Sequence, residues 1–210
     1  MTRRAPADIS ARHGWRLIAP ARPLGALPPE LEALLPNRRH NDDLMAGLHS
    51  SLREASGASG AIAAIFAADP FINVRELTSA LAMVGIVCVA NFPSVAQYGK
   101  VFEQSLSEVG LGVQREQTIL KQFRKLGLQT YQTLAEHPQA GFDADGHAGF
   151  LIAISFDDMH SAIARDETLR LRREWARAHV DPQQSTLVCR APKREAIGNE
   201  RSPIAIWSLD

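Results

Sequence analysis

The sequence has no excess of charge of either sign. Its 210 residues carry 23 Lys and Arg against 23 Asp and Glu, so the formal net charge at pH 7 is zero. Proteins that bind nucleic acid or anionic membranes usually carry a basic excess, so we expect neither of these partners. A chain near zero net charge favours self-association, and we therefore expect a homo-oligomer, with a dimer favoured.

Long apolar runs are also missing. No run approaches the roughly 18 residues that a membrane-spanning helix needs. The N-terminal segment MTRRAPADISARHGW is too polar for a secretory signal peptide. The plain interpretation is a cytoplasmic protein.

Cysteine is scarce, and familiar phosphate-binding motifs are absent. The two cysteines, Cys88 and Cys189, fall inside predicted strands without a CxxC neighbour or a histidine cluster, so we expect small buried apolar residues rather than a metal site. No GxGxxG or GxxxxGK motif follows any predicted strand. This absence disfavours a Rossmann or P-loop protein.

The most informative stretch runs from residue 60 to residue 94. Two apolar runs, 61–67 and 86–90, are typical of buried strands, and apolar residues at helical spacing between them predict a helix that Gly85 ends. A strand, a helix and a second strand in this order predict parallel pairing and an α/β fold. Asp69 and Asn91 come at the two strand ends, the edge where such folds bind ligands.

Seven strands are predicted, and helices or long loops separate all of them. The strands are 15–19, 61–67, 86–90, 128–134, 150–156, 186–190 and 203–208, and the longer helices are 41–55, 95–110, 115–126 and 161–179. Repeated right-handed crossovers give either a doubly wound sheet or a barrel. We expect a single domain over 1–210, with a proline-rich loop at 20–36 lying over an opening.

Several short motifs resemble the phosphoenolpyruvate hydrolase-like TIM-barrel family, also described as a TIM-barrel signal-transduction family. The residues that carry the resemblance are Leu34-Leu35-Pro36, Asn41, Asp69-Pro70-Phe71, Asn91-Phe92-Pro93-Ser94, Phe102 through Leu106, Glu108, Gly110, Gly112 and Glu116. They cover roughly residues 9–156. The resemblance implies a (β/α)8-type TIM barrel with its site at the carboxyl ends of the strands. The chain begins after the family's first strand, so the implied barrel is incomplete, with seven strands.

The chain also departs from the family at three motifs. An asparagine-serine-glycine-arginine motif is replaced by Pro20-Ala21-Arg22-Pro23, a histidine-methionine-glycine motif by about 156–158, and a cysteine-histidine-glycine-glycine-proline motif by 189–192. Two histidines that would be acid/base candidates are therefore missing. The comparison implies a divergent member, either rebuilt or degenerate as an enzyme.

Three residues are the candidate catalytic groups: Asp69, Asn91 and Asp157. Asp69 could act as a general base, orient a water or bind Mg²⁺ together with Asp158, while an Asx turn or a helix cap would explain it structurally. The Asn91 amide could donate to a substrate carboxylate or enolate oxygen, while a turn before Pro93 would explain it equally. Asp157 and Asp158 also fit an N-cap with first-turn charges.

An anionic ligand, carboxylate or phosphate, is the partner expected at this edge. Arg190 is its expected anchor because a guanidinium binds either group bidentately, although a salt bridge to Asp157 or Asp158 would also explain it. The other substrate-binding candidates are Asn41, Ser94 and Tyr131. Helix capping would account for Asn41, interior packing for Tyr131 and Thr133, and a helix-dipole interaction for Glu116.

Two functions follow. The first is a phosphoenolpyruvate hydrolase-like enzyme that acts on a small phosphorylated or 2-oxo/enol carboxylate by hydrolysis or by C–C or C–P bond chemistry, with Mg²⁺ as the cofactor such carboxylates would suit. The second is a degenerate barrel that binds a ligand or a protein without turnover. The second function follows from the missing strand, because the strands on each side of the gap would have unpaired edges. The N-terminal arm, the proline-rich segment or a second subunit could cover these edges.

Overall fold

A computed structural model describes residues 15–20, 40–50, 60–97, 100–134, 146–153, 167, 169–171, 174, 185–188 and 204–208. The elements are β1 (Arg16–Pro20), α1 (His40–Ser50), β2 (Ala61–Ile65), α2 (Val74–Met83), β3 (Cys88–Asn91), a 3₁₀ turn (Val95–Gln97), α3 (Lys100–Glu108), α4 (Val113–Lys125), β4 (Gln129–Leu134), β5 (Gly149–Ile152), β6 (Ser185–Val188) and β7 (Ile204–Ser208). None of the helices in these ranges is long and apolar enough to cross a membrane.

The strands form one sheet in the order β6-β5-β4-β3-β2-β1-β7. The six strands β1 to β6 are parallel to their neighbours and follow the order of the chain. Each of the seven predicted strands corresponds to one of these strands, so the predicted α/β fold with a parallel sheet is confirmed. Sequential order is also the order of strands in a TIM barrel.

The last strand departs from the prediction, because β7 pairs antiparallel with β1. Five residue pairs define this register, with Ile18 opposite Ile206 near the middle. The crossover pattern predicted a parallel strand here, which was wrong, because apolar patterning locates a strand without giving its direction. β7 also covers the edge of β1, so the cover predicted from the N-terminal arm, the proline-rich segment or a second subunit is not what the structure has there.

Barrel closure stays a prediction. Seven strands are described rather than the eight of a full barrel, and no pairing between β6 and β7 occurs among the described residues.

One face of the sheet packs against helices. Leu44 of α1, Leu77 of α2 and Phe123 of α4 belong to a single buried cluster with strand residues such as Ala63 and Val89. These strand residues alternate with those of the opposite face, as the pleat requires. We call the face covered by α1, α2 and α4 the helix face.

The opposite face, which we call the inner face, carries a second buried cluster among the described residues. Its core is a cluster of strand residues from β1 to β6, such as Leu17, Ile62 and Leu187. The ring of Trp15, which precedes β1, lies 5.8 Å from that of Tyr131 on β4. In a flat sheet, strands three places apart are separated by about 14 Å, so these two long side chains reach toward each other across the inner face.

Helix ends follow the sequence signals. The Asn73 side chain accepts from the Glu76 amide and caps α2, whose end is followed by Gly85 in the left-handed region at φ +75°. Gly127, at φ +93°, follows α4 in the same way. Gly112 caps the start of α4, where a Cβ would lie 2.9 Å from the Ser107 Cα atom, so a larger residue would displace the first turn.

The helix predicted over 95–110 divides into the 3₁₀ turn and α3. Its predicted apolar face is not covered, because α3 buries none of its residues and Val101 is 83% exposed. Val109 and Phe102 are exposed as well. Helical periodicity predicted the face correctly but could not show whether anything packs on it. Self-association of the chain stays a prediction.

Candidate functional site

The carboxyl end of β2 is held by the first turn of α1. The Asn41 amide donates to the Phe66 carbonyl oxygen at 3.0 Å, and its Oδ1 atom accepts from the Phe66 N–H at 3.0 Å. The same amide nitrogen donates to Asp69 Oδ2 at 3.0 Å. Helix capping was the structural alternative for Asn41, but α1 already includes His40, and Asn41 uses its polar atoms to position the segment after β2.

Asp69 is fixed from several sides. Its Oδ1 atom accepts from the Phe71 N–H at 2.8 Å, which is an Asx turn, while Oδ2 accepts from Asn41. Arg115 Nη2 of α4 donates to the Asp69 carbonyl oxygen at 2.8 Å. The Asp69 residue is half-buried, so its carboxylate is oriented yet within reach of solvent. The helix-cap alternative belongs to Asn73 instead.

A buried carboxyl lies behind the carboxyl end of β3. Glu116, in the first turn of α4, has no exposed surface. Its Oε2 atom accepts from Asn91 Nδ2 at 2.9 Å and from the Ser94 hydroxyl at 2.7 Å, and its Oε1 atom accepts from the Val95 N–H at 3.1 Å. Three donors therefore converge on one carboxyl and join the end of β3 to α4.

Asn91 connects this group to the next strand. Its Oδ1 atom accepts from the Thr133 N–H of β4 at 2.7 Å, and its amide nitrogen lies 3.3 Å from Ser94 Oγ. Asn91 shares the helix face with Val89, two residues earlier on β3. Ser94 is likewise buried and tied to Gln97, whose Oε1 atom accepts from the Ser94 N–H. In this arrangement Asn91 and Ser94 form hydrogen bonds with other groups of the protein.

Burial dominates the electrostatics of Glu116. It raises the pKa of this carboxyl from 4.5 to about 7, against the opposing effect of the bonds from Ser94, Val95 and Asn91. The charge of Glu103 on α3 raises the pKa further. A carboxyl that changes protonation near neutral pH at a strand end is typical of functional sites, although structural networks also produce such shifts.

We predict that this shift makes the stability of the protein depend on pH. The folded-state pKa lies above the unfolded value, so the contribution of Glu116 is fully present below about pH 4.5 and is lost as pH rises through about 7. At about 1.4 kcal/mol per pKa unit, the loss is about 3 kcal/mol. Urea unfolding of wild type and Glu116→Gln between pH 4.5 and 8 measures it, because the glutamine does not titrate. Parallel profiles for the two proteins would contradict the prediction.

The first turn of α4 joins the two strand ends. Arg115 bonds to the segment after β2, and its neighbour Glu116 bonds to the segment after β3. Arg115 was not among the candidates from the sequence. An arginine three residues after the helix-capping Gly112 was the available signal, but nothing local shows which strand it faces.

The described residues do not form a metal site. No three His, Cys, Asp or Glu side chains converge among them in a way that could hold an ion. Asp158, which was expected to bind Mg²⁺ together with Asp69, lies outside the described residues, so magnesium binding by this pair stays a prediction.

The remaining candidates differ in what the structure says of them. Tyr131 is buried on the inner face, with its ring centroid 5.8 Å from that of Trp15, and its substrate-binding role stays a prediction. Cys88 is buried, and burial raises the pKa of its thiol to about 12, as expected of a small core residue. Several predicted features lie outside the described residues: Asp157, Asp158, Arg190, Cys189 and nearly all of the proline-rich loop.

These observations define an α/β protein whose consecutive parallel strands end in a bonded polar network. A model of the phosphoenolpyruvate hydrolase-like family matches residues 26–178, more than half of the chain. The chain therefore belongs to the phosphoenolpyruvate hydrolase-like family, which confirms the resemblance. Asp69, Asn91 and Glu116 lie inside the matched region, whereas Arg190 lies beyond it. No match was found among curated proteins.

Proposed function

We propose that this protein is an enzyme that hydrolyses phosphoenolpyruvate or a closely similar small enol or 2-oxo carboxylate at the carboxyl edge of a closed barrel. In this reaction water attacks phosphorus, the bond from phosphorus to the C2 oxygen breaks, and the enol product takes up a proton at C3 to give pyruvate. Family membership supports the substrate class. The finer assignment to residues rests on the geometry at the ends of β2 and β3.

The proposal rests on the partial exposure of Asp69 and on the hydrogen bonds that orient its carboxylate. Asp69 is half-buried, and its carboxylate is held by Asn41 and by the Phe71 N–H. Such a fixed, solvent-accessible carboxylate can accept the proton of an attacking water, because one lone pair on each oxygen remains open. Asp69 is therefore assigned as the general base.

The other polar residues are assigned positioning roles. Asn91, Ser94 and Glu116 are buried and bonded to one another, so they hold the end of β3. Arg115 holds the segment that carries Asp69. Arg190 and Asp157 remain the proposed anion anchor and second acid/base group.

We predict that Asp69→Asn lowers the rate of pyruvate release from phosphoenolpyruvate by at least about 100-fold, the usual scale for a lost general base. The amide keeps the size of the side chain but does not accept a proton. Coupled assay of pyruvate, with inorganic phosphate measured in parallel, gives the rate. Asp43→Asn is the matched control, because Asp43 is an exposed carboxylate in the first turn of α1. Equal turnover by wild type and Asp69→Asn would contradict the assignment.

A second function, ligand binding without turnover, is favoured by one specific observation. The buried polar residues at the end of β3 form hydrogen bonds with each other and with the backbone: Asn91, Ser94 and Glu116. Among the described candidates, the carboxylate that a ligand can reach is therefore that of Asp69. Calorimetry separates the two functions: binding of phosphoenolpyruvate without any release of pyruvate or phosphate would favour the binding protein.

A further inference from the structure

Thr133 lies on the inner face near the carboxyl end of β4. It pairs in register with Leu151 of β5, which belongs to the inner-face cluster. Tyr131, two residues earlier on the same strand, belongs to that cluster as well. Because alternate residues of a strand share a face, the Thr133 side chain points to the inner face.

Among the described residues, the buried Thr133 hydroxyl has no hydrogen-bond partner. The residue is 2% exposed, and its Oγ1 atom forms no hydrogen bond within this part of the chain. Its backbone N–H, in contrast, is held by Asn91 Oδ1 at 2.7 Å. The strand is thus fixed in place while it presents an unbonded hydroxyl, and a native structure rarely keeps such a group without a role.

Leu151, which pairs in register with Thr133, belongs to an apolar cluster on this face. The inner-face cluster includes alanines toward the carboxyl ends of β1, β2 and β3 and just after β5: Ala19, Ala64, Ala90 and Ala153. A ligand oxygen that accepts a hydrogen bond from the Thr133 hydroxyl would supply the partner that this buried group lacks among the described residues.

We propose that Thr133 Oγ1 donates a hydrogen bond to the oxygen on C2 of the bound ligand, with the ligand's carboxylate and phosphate directed toward the solvent side of the strand ends. This inference rests on the proposed function, because the ligand class comes from there. Thr133 is then a specificity-determining residue: a site that bonds a substrate oxygen rejects analogues that lack it.

The test uses two matched ligand pairs that differ only at C2. Phosphoenolpyruvate is compared with its analogue in which CH₂ replaces the bridging oxygen, and pyruvate is compared with propionate. Dissociation constants are measured by calorimetry for wild type, Thr133→Val, Thr133→Ser and the control Thr118→Val, whose hydroxyl is exposed on α4. We expect wild type to prefer the C2-oxygen ligand at least tenfold, Thr133→Ser and Thr118→Val to keep that preference, and Thr133→Val to lose it.

Thermal unfolding without ligand supplies a second readout. Valine has the shape of threonine, and removal of an unbonded buried hydroxyl is expected to raise Tm by about 2–4 °C. A fall in Tm would show a structural partner for the hydroxyl and would overturn the assignment. An unchanged ligand preference in Thr133→Val would also overturn it while leaving the proposed function standing. Failure of wild type to bind either phosphoenolpyruvate or pyruvate would overturn the proposed function itself, and the role of Thr133 with it.

Discussion

Replacement of Glu116 by alanine is expected to lower the free energy of unfolding by about 3–5 kcal/mol at pH 6. The substitution leaves the Asn91 amide, the Ser94 hydroxyl and the Val95 N–H without their acceptor in a site closed to water. It also removes the desolvation cost of the carboxyl, so the net loss is smaller than three full bonds. Against a total stability of roughly 5–15 kcal/mol, a loss of this size is severe.

Urea unfolding measures this loss, and two variants make the result specific. Glu108→Ala removes an exposed glutamate from α3 and is expected to change stability by less than about 0.5 kcal/mol. Glu116→Gln keeps the side-chain volume and one acceptor oxygen. Its loss of unfolding free energy should therefore lie between those of Glu108→Ala and Glu116→Ala. If Glu116→Ala were as stable as Glu108→Ala, the hydrogen bonds from the three donors to Glu116 would not contribute to the stability of the fold.

Asn91→Asp is expected to lower the free energy of unfolding by about 4 kcal/mol near pH 7.5, the second large effect. Aspartate keeps the oxygen that accepts from the Thr133 N–H, but it replaces the amide nitrogen that lies 2.9 Å from Glu116 Oε2. Two carboxyls then face each other inside the protein, and they cannot both be ionised. The loss should shrink as pH falls toward 5, because one shared proton restores a hydrogen bond between them.

Asn73→Asp is the matched control for this substitution. Asn73 is the exposed cap of α2, where aspartate is as favourable as asparagine. We expect a change below about 0.5 kcal/mol and little dependence on pH for the control. A pH-independent loss in Asn91→Asp would mean that the two side chains do not meet as the structure has them.

The sequence predicts the positions of strands well here because the apolar runs are short and bounded by turn residues. The runs 61–67 and 86–90 became β2 and β3, and Gly85 and Gly127 follow the two helices that they were expected to end. The direction of β7 and the exposure of α3 depend instead on which element packs beside each one. That information lies in tertiary contacts, which periodicity does not record.

In the candidate site, too, local sequence located some residues correctly but did not predict the environment of others. Asp69 and Asn91 were located at strand ends from the strands that precede them, and both lie there. Glu116 was interpreted as a helix-dipole partner because its position in the first turn of α4 is a local signal. Its partners Ser94 and Asn91 lie more than 20 residues away along the chain, so its burial and its raised pKa could not be predicted from the local sequence.

The antiparallel pairing of β7 with β1 has a consequence for how the protein is made. About 180 residues separate the two strands, whereas the parallel neighbours of the sheet are much closer along the chain. At typical translation rates, β1 is synthesised roughly 10–40 s before β7 exists. During that interval the open edge of β1 can pair with another nascent chain. Codon usage and chaperone access over this window therefore bear on the yield of the protein.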